Sequence, residues 1–266
     1  MSQPDVYEVY AVKYGERDAR RRDHFIGGDR HDGPMPMDYF VWAAVGRERT
    51  WVVDTGFERG DGERRGRTWL RSAADGLAAV GVDAAQVSDV ILTHLHYDHV
   101  GGFAEFPNAR FHLQDREMAF ATGRSMTRRA LRHAFTPEQV AGLVLEVFRD
   151  RVVFHDGDDE AAPGLSLHLI GGHTAGLQSV RVRTRLGWLV LASDAAHYYE
   201  NLQAGRPFPT VVDVAAMLEG HDRLRRLADR EELVVPGHDP LVLRRYPPAG
   251  PGLEGIAARL DAEPAG

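Results

Sequence analysis

The amino-acid sequence predicts one α/β domain in which two β-sheets stack on each other and helices cover their outer faces. Its composition is that of a globular protein, with 266 residues of which 43% are hydrophobic and 27% are charged. Strand-like segments occur in both halves of the chain, and each half has helical segments of its own. Because no Pro- or Ser-rich linker separates the halves, residues 1–266 are expected to fold as a single domain.

The first half of the chain alternates between strands and a helix. Apolar and polar residues alternate over 6–14, and two further strand-like runs, 39–44 and 50–53, flank a polar turn as in a hairpin. Helical spacing of apolar residues predicts a helix over 68–80. A short apolar run then predicts a buried strand over 89–93.

A charged, glycine-rich segment over 15–38 shows no periodicity and is predicted to be a loop. Two interpretations fit it: a mobile surface loop, or a lid over a functional site. The second interpretation rests on Met35, Pro36 and Met37, which are unusually apolar for an exposed loop.

The second half of the chain mixes helices with a second group of strands. Helices are predicted over 115–122 and 125–135, and a third is capped by Thr136 and opened by Pro137. A last helix is predicted over 213–228. The strands predicted in this half are 151–155, 165–169, 178–184, 188–192 and 233–235.

Charge and composition exclude several classes of partner. The chain carries 39 Asp and Glu against 32 Lys and Arg, a net charge of -7, which argues against nucleic acid as a partner. It starts without a basic segment followed by an apolar one, and nowhere approaches the ~18 uncharged apolar residues of a membrane span. A cytoplasmic protein without a membrane partner is therefore expected. Cysteine is absent, so any metal site must use His and carboxylate ligands.

Residues 93–102 form a cluster rich in histidine, with the sequence THLHYDHVGG. Residues two apart on an extended segment point to the same side, so His94 and His96 can bind one metal ion as the strand ends. Asp98 and His99 follow where the chain has turned, and can face a second ion. Chance is a weak explanation for three His and one Asp in this spacing.

Two metal ions need more ligands than this cluster offers. Three further candidates, His173, Asp194 and His238, each follow a predicted strand. A lone His or Asp at such a place is more often a turn residue. Here the four candidate ligands of the histidine-rich cluster need further ligands to complete two metal sites, which favours a metal-binding role for these three residues. The sequence therefore predicts a dinuclear metal site at the ends of strands.

Taken in order from Tyr39 to Asp239, these residues resemble the motif of the metallo-β-lactamase superfamily. The resemblance implies an αβ/βα four-layer sandwich. It also implies that Asp194 bridges two ions and that Asp54 orients a ligand without binding metal. The implied ligands are His94, His96 and His173 for one ion, and Asp98, His99 and His238 for the other.

Two divalent ions held by His and Asp can share a hydroxide at neutral pH and polarise a carbonyl oxygen. Such a site suits hydrolysis of lactones, esters, thioesters or amides. Zn²⁺ is the expected ion, and Fe, Mn or Co also suit these ligands. The catalytic candidates are Asp98, His197 and Tyr198.

Within the superfamily, the segments around the later ligands are most similar to those of N-acyl-homoserine lactone lactonases. In that group a Tyr three residues after the bridging Asp binds the lactone carbonyl, whereas this chain has His197 there and Tyr198 next to it. His197 is interpreted in three ways: as a donor to the developing oxyanion, as a general acid, or as a packed wall of the pocket. The residues expected to line an acyl pocket are Met35, Met37, Phe103 and Phe208.

The predicted function is lactone hydrolysis at a dinuclear metal centre, with a small-molecule substrate and a homodimer as a candidate assembly. The alternatives are an ester or thioester hydrolase similar to glyoxalase II, a di-iron oxidoreductase, and a scaffold with a vestigial site. The arginine runs at 20–22 and 64–65 are interpreted as solvated surface. Seven other histidines are interpreted as surface or locally satisfied residues: His24, His31, His112, His133, His155, His168 and His221.

Overall fold

The strands of the fold extend through both halves of the chain. A computed structural model describes residues 5–265; residues 1–4, on which part of the prediction about the chain start rests, lie outside it, as does residue 266. Thirteen strands occur in the described range: β1 (Glu8–Arg17), β2 (Met37–Val45), β3 (Thr50–Val53), β4 (Thr68–Trp69), β5 (Asp89–Ile91), β6 (Arg110–Gln114), β7 (Val152–His155), β8 (Asp159–Ala162), β9 (Leu165–Leu169), β10 (Gln178–Thr184), β11 (Gly187–Ser193), β12 (Val234–Pro236) and β13 (Ala257–Arg259).

Helices connect these strands, and their starts carry recognisable signals. Pro137 occupies the first turn of the helix that follows Thr136, and the Asp213 side chain accepts a hydrogen bond from the backbone of Ala216. No helix in residues 5–265 combines the length and apolar character needed to cross a bilayer. The α-helices of this range are α1 (Arg59–Arg64), α2 (Ala73–Ala78), α3 (Tyr97–Val100), α4 (Asp115–Thr122), α5 (Arg129–Arg132), α6 (Pro137–Val147), α7 (Tyr199–Ala204), α8 (Val214–Leu227) and α9 (Leu241–Arg245).

The strands form two mixed sheets. The larger sheet has the order β13-β1-β2-β3-β5-β6-β7, with β4 paired to the end of β1, and the smaller has the order β12-β11-β10-β9-β8. Strands β3 and β5 are parallel neighbours, as are β11 and β12. Because carboxyl ends of parallel strands meet at one edge of a sheet, the segments that follow these four strands come together in two pairs.

Alternation of side chains along the strands divides the apolar core into three parts. One part lies between the two sheets and includes Trp42, Val53, Leu167 and Leu191. A second joins the larger sheet to α2 and α6, and a third joins the smaller sheet to α7 and α8. The layers therefore run helix, sheet, sheet, helix, which confirms the predicted αβ/βα sandwich.

Two helices are shorter than the sequence predicts. The helix expected over 68–80 begins only at Ala73, where the Ser72 side chain caps it, because residues 68–69 pair with β1 instead. The segment 125–135 contains the four-residue helix α5 rather than one continuous helix. Strands β6, β8 and β13 were not predicted, since their short runs carry charged residues that hide the alternation.

The predicted loop over 15–38 is shorter at both ends than expected. Strand β1 continues to Arg17 and β2 begins at Met37. Between them, the His24 imidazole donates to the Met35 carbonyl (3.0 Å) and the Tyr198 hydroxyl donates to the Pro36 carbonyl (3.1 Å). These bonds hold the segment against the start of α7, and its mobility remains a prediction.

Candidate metal centre

The histidine-rich segment leaves the larger sheet directly after β5 and enters the short helix α3. His94 and His96 precede α3, and Asp98 and His99 lie within it, all of them buried. Behind α3 the backbone passes so close to Thr55 that a Cβ on Gly102 would lie 2.3 Å from the Thr55 carbonyl oxygen. Glycine is required there because of this close approach.

Three imidazoles form the first candidate ligand set. The Nε2 atom of His173 lies 3.1 Å from Nε2 of His94 and 2.9 Å from Nδ1 of His96. Burial, together with the neighbouring imidazoles, lowers the pKa of His94 and His96 well below the usual value. Neutral imidazoles offer the lone pairs that a metal ion binds.

The second candidate ligand set combines Asp98, His99 and His238, whose ligand atoms lie within 4.8 Å of one another. The Oδ2 atom of Asp98 is 3.9 Å from Nε2 of His99 and 4.0 Å from Nε2 of His238. These distances are too long for direct hydrogen bonds, and they leave space for an ion between the three groups.

Asp194 lies between the two sets. Its Oδ1 atom is 3.0 Å from Nε2 of His238 and 3.3 Å from Nε2 of His99, whereas its Oδ2 atom is 3.3 Å from Nε2 of His173. Burial acts against the charged carboxylate, but the imidazoles of His238 and His99 outweigh it and hold the pKa of Asp194 well below its usual range. One carboxylate thus faces both ligand sets with different oxygens.

Hydrogen bonds at Nδ1 fix the orientation of three of the candidate imidazole ligands. Nδ1 of His99 lies 2.7 Å from Asp54, Nδ1 of His173 lies 2.5 Å from the Thr210 carbonyl, and Nδ1 of His238 lies 2.9 Å from the Asp38 carbonyl. Since each Nδ1–H is donated outward, each Nε2 lone pair is directed into the centre.

The centre contains buried polar atoms without hydrogen-bond partners among residues 5–265. They include Nε2 of His99, Nε2 of His238 and Oδ1 of Asp194. Buried groups of this kind are costly unless something binds them. Nitrogen and carboxylate donors in this arrangement suit divalent metal ions, so the residues present fit the dinuclear site that the sequence predicts.

Asp54 lies next to the centre, and His99 is the candidate ligand that it contacts by a hydrogen bond. It is completely buried, its backbone has a φ of 61°, and its two oxygens also accept bonds from the backbone and hydroxyl of Thr93, each at 2.8 Å. Ser193, directly before Asp194, has a φ of 49° and donates its hydroxyl to Thr93. Left-handed backbone at non-glycine residues costs energy and persists where the surroundings enforce it.

We expect Asp54→Asn to weaken metal binding at the His99 side by about 10- to 100-fold, because the Asn amide is a poorer acceptor for the His99 Nδ1–H. Competition titration against a fluorescent chelator measures this, and excess metal should restore most of the turnover. Unchanged metal affinity in a folded Asp54→Asn variant would contradict the orienting role.

Sequence reasoning missed Glu117, which is buried on α4. Its two oxygens accept hydrogen bonds from the backbone of Leu95 (2.9 Å) and of Gly176 (3.1 Å). Glu117 therefore ties the histidine-rich segment to the loop that carries His173. No signal in the sequence distinguished it from an ordinary exposed helical glutamate.

A cavity of about 110 Å³ opens onto the candidate ligands. His197 lines it, with Nε2 at 2.9 Å from Oδ2 of Asp194 and its ring stacked on Phe208 at a centroid distance of 3.4 Å. Met37 also lines this cavity, and Phe208 forms the layer behind His197. These two of the four expected pocket residues are therefore close to the centre.

Three other predicted site residues lie elsewhere. Tyr198 does not line the cavity, because its hydroxyl is bonded to the 24–36 segment; its role in catalysis remains a prediction. Met35 contributes its carbonyl to the same bonds, and Phe103 packs on Phe111 and beside Gly142 in the core. Neither offers its side chain to the cavity.

One of the interpretations of polar residues changes, and another agrees with the structure. The run 64–65 is not all solvated surface, because Arg65 is half-buried, lines the cavity, and donates to Asp61 and to the carbonyls of His133 and Phe135. His112 and His155 form a buried chain with two carboxylates, Asp89 and Asp159, and are satisfied in that way.

Comparison with known proteins places this fold and centre in a family. Residues 35–238 match the metallo-beta-lactamase superfamily. The chain belongs to that superfamily.

Its relatives include lactonases. N-acyl homoserine lactonase AttM of Azorhizobium caulinodans is 34% identical over 179 residues, which cover 61% of this chain and 62% of the relative. The chain thus spans about three fifths of the length of this curated relative.

Solved structures share the fold. A quorum-quenching N-acyl homoserine lactone lactonase superposes with a TM-score of 0.75 at 22% identity, covering 90% of this chain and 94% of the other. AidC, a dizinc quorum-quenching lactonase in complex with a homoserine product, superposes with a TM-score of 0.67 at 19% identity, covering 90% and 92%. At these identities the likeness shows the common fold.

Proposed function

We propose that the protein is a dinuclear metal-dependent hydrolase that opens a lactone ring. One observation carries this proposal: Nε2 of His99, Nε2 of His238 and Oδ1 of Asp194 converge in a buried centre without hydrogen-bond partners among the described residues. The lactonase names of a relative and of structural neighbours support the substrate class.

Zn²⁺ is the proposed ion, held by the two ligand sets on either side of Asp194. The nitrogen-rich donor set without thiolates suits it, and the neighbour AidC is a dizinc protein. Fe, Mn and Co fit the same donors and are the alternatives. When bound, such a pair of ions activates water and polarises the carbonyl of an ester.

His197 lines the cavity and contacts the candidate shared ligand Asp194. Burial lowers its pKa to about 3, so the imidazole is neutral at pH 7 and is poorly suited to act as a general acid. Its short contact with Asp194 is then an Nε2–H donating to Oδ2. We propose that this N–H holds the Asp194 carboxylate in position, which makes His197 a positioning residue.

We expect His197→Ala to lower kcat by about 10²-fold with metal content unchanged, because the donor that holds Asp194 in position is removed. His197→Tyr restores a donor and should raise the preference for acyl-homoserine lactones. Steady-state kinetics on a lactone series, beside metal counts, checks both variants. If His197→Ala changed KM and left kcat unaltered, the role of His197 would be limited to packing in the wall of the pocket.

The proposed function itself is tested with metal-loaded protein on a panel of lactones, open-chain esters and thioesters. Lactones should be hydrolysed with the highest kcat/KM. A preference for open-chain esters or thioesters would replace the lactonase assignment with the alternative hydrolase. If none of Zn²⁺, Fe, Mn and Co supports hydrolysis of any compound on the panel, the proposed function is wrong. The cytoplasmic location and the homodimer remain predictions from the sequence.

A further inference from the structure

Two arginines on the cavity wall form no ion pair with any acid of residues 5–265. Arg17 and Arg67 both line the cavity that holds the candidate metal ligands. Strands β1 and β4 pair with Gly15 opposite Trp69 and Glu16 opposite Thr68, and the same register continued by one residue sets Arg17 opposite Arg67. Like charges that face each other across strands repel.

Arg17 makes no side-chain hydrogen bond and no ion pair within residues 5–265. Two neighbouring acids, Glu16 and Asp38, each lie 2.7 Å from Nζ of Lys13, and the adjacent Asp18 forms no ion pair with Arg17 in the described structure. Other half-buried arginines are bonded, either to an acid, as Arg206 is to Asp29 (3.1 Å), or to a backbone carbonyl, as Arg181 is to that of Leu227 (2.7 Å). The guanidinium of Arg17 is therefore free to bind a ligand.

Arg67 is anchored on one side and open on the other. Its Nε donates to the Tyr97 hydroxyl (2.8 Å) and its Nη1 donates to the Arg65 carbonyl (2.7 Å). Its Nη2 has no hydrogen-bond partner and its charge no ion pair among the described residues. The rigid fork of a guanidinium fixed in this way suits bidentate binding of a planar anion.

No free carboxylate balances these charges in the cavity. Its acidic lining residues in the described chain are Asp98 and Asp194, and both belong to the candidate ligand sets. Arg65, the third arginine of the wall, is paired with Asp61 at 3.1 Å. The chain as a whole carries a net charge of -7, so this positive cavity is a local feature and not a consequence of overall composition.

We propose that the substrate is an anionic ester or lactone, with a carboxylate bound between Arg17 and Arg67 a few atoms from the scissile carbonyl. This inference rests on the proposed function, which it narrows from neutral acyl lactones to acid-bearing ones. A small cavity of about 110 Å³ with charged walls suits a short polar substrate better than a long acyl chain. The anion screens the repulsion between the two guanidiniums.

The test compares a matched pair of lactones, γ-butyrolactone and its 4-carboxylate derivative, on the metal-loaded enzyme. The carboxylate compound should have a kcat/KM about 10- to 100-fold higher, as expected for charge-assisted hydrogen bonds. The corresponding phosphate-bearing lactone tells whether the anion must be planar. If neither lactone is hydrolysed, the proposed function is wrong; if both are hydrolysed equally, only the anion proposal is wrong.

Variants separate the arginines from general effects of charge. Arg17→Gln should remove most of the preference for the carboxylate compound, because one of the two charged partners of the anion is lost. Arg67→Gln should act in the same direction. Arg47→Gln, the same charge change on an exposed hairpin, is the matched control and should change neither rate.

A binding measurement does not depend on turnover. Calorimetric titration with the dicarboxylate product, 2-hydroxyglutarate, should give a Kd about 10-fold or more below that of the monocarboxylate 4-hydroxybutyrate. In Arg17→Gln the two affinities should become similar. Equal affinities in the unaltered protein would overturn the proposal.

Discussion

Replacing Asp194 by Asn should reduce turnover by about 10³-fold or more and leave at most one metal ion on each chain. The carboxylate faces both ligand sets, with Oδ1 near His99 and His238 and Oδ2 near His173. An amide removes the negative charge and offers one acceptor oxygen in place of two. Both losses act on the same centre, so we expect this isosteric change to have the largest effect.

The matched control is Asp159→Asn. Asp159 also pairs with an imidazole, since its Oδ2 lies 2.7 Å from Nδ1 of His155, but it is on β8 away from the cavity. This variant should keep two ions and nearly full activity. If Asp194→Asn retained both ions and most of its turnover, Asp194 would not be a shared ligand.

A second large loss is expected for His238→Ala. His238 supplies the Nε2 atom nearest to Asp194 Oδ1, and without it only Asp98, His99 and the shared Asp194 are left to hold an ion on that side. One ion should be lost and turnover should fall by about 10²-fold or more, because a single ion does not provide the paired centre. Metal counts and kcat on the same preparation measure both effects.

His168→Ala is the control for this variant. His168 is similarly buried and bonded to Ser166 and Asp158, remote from the cavity. It should retain metal and activity. Equal losses in His168→Ala and His238→Ala would mean that the effect comes from general destabilisation of the fold.

The sequence predicted the main layers because their signals are local. Strands β9 and β10 have the predicted bounds, and so does α4, since alternation and helical spacing were clear in each. Helix α2 was misjudged because the pairing of Thr68 and Trp69 with β1 is a tertiary contact that overrides local spacing. Short edge strands such as β8 and β13 depend on similar contacts.

In the candidate site, too, local sequence signals could be recognised and tertiary contacts could not. The candidate ligands that the structure brings together could be selected from the sequence, because metal chemistry favours His and Asp at the ends of strands. Arg17 and Arg67 were not found, because only the pairing of β1 with β4 brings them together on one wall. The bond from the Tyr198 hydroxyl to the Pro36 carbonyl joins segments far apart in the chain, so local patterns could not show it.

The most direct test of the dinuclear centre is the metal content of the unaltered protein after reconstitution with Zn²⁺ and removal of excess metal. Elemental analysis by mass spectrometry, with protein concentration from amino-acid analysis, gives the number of ions per chain. Two ions per chain are predicted, since two ligand sets share Asp194. A value of one or none would contradict the account.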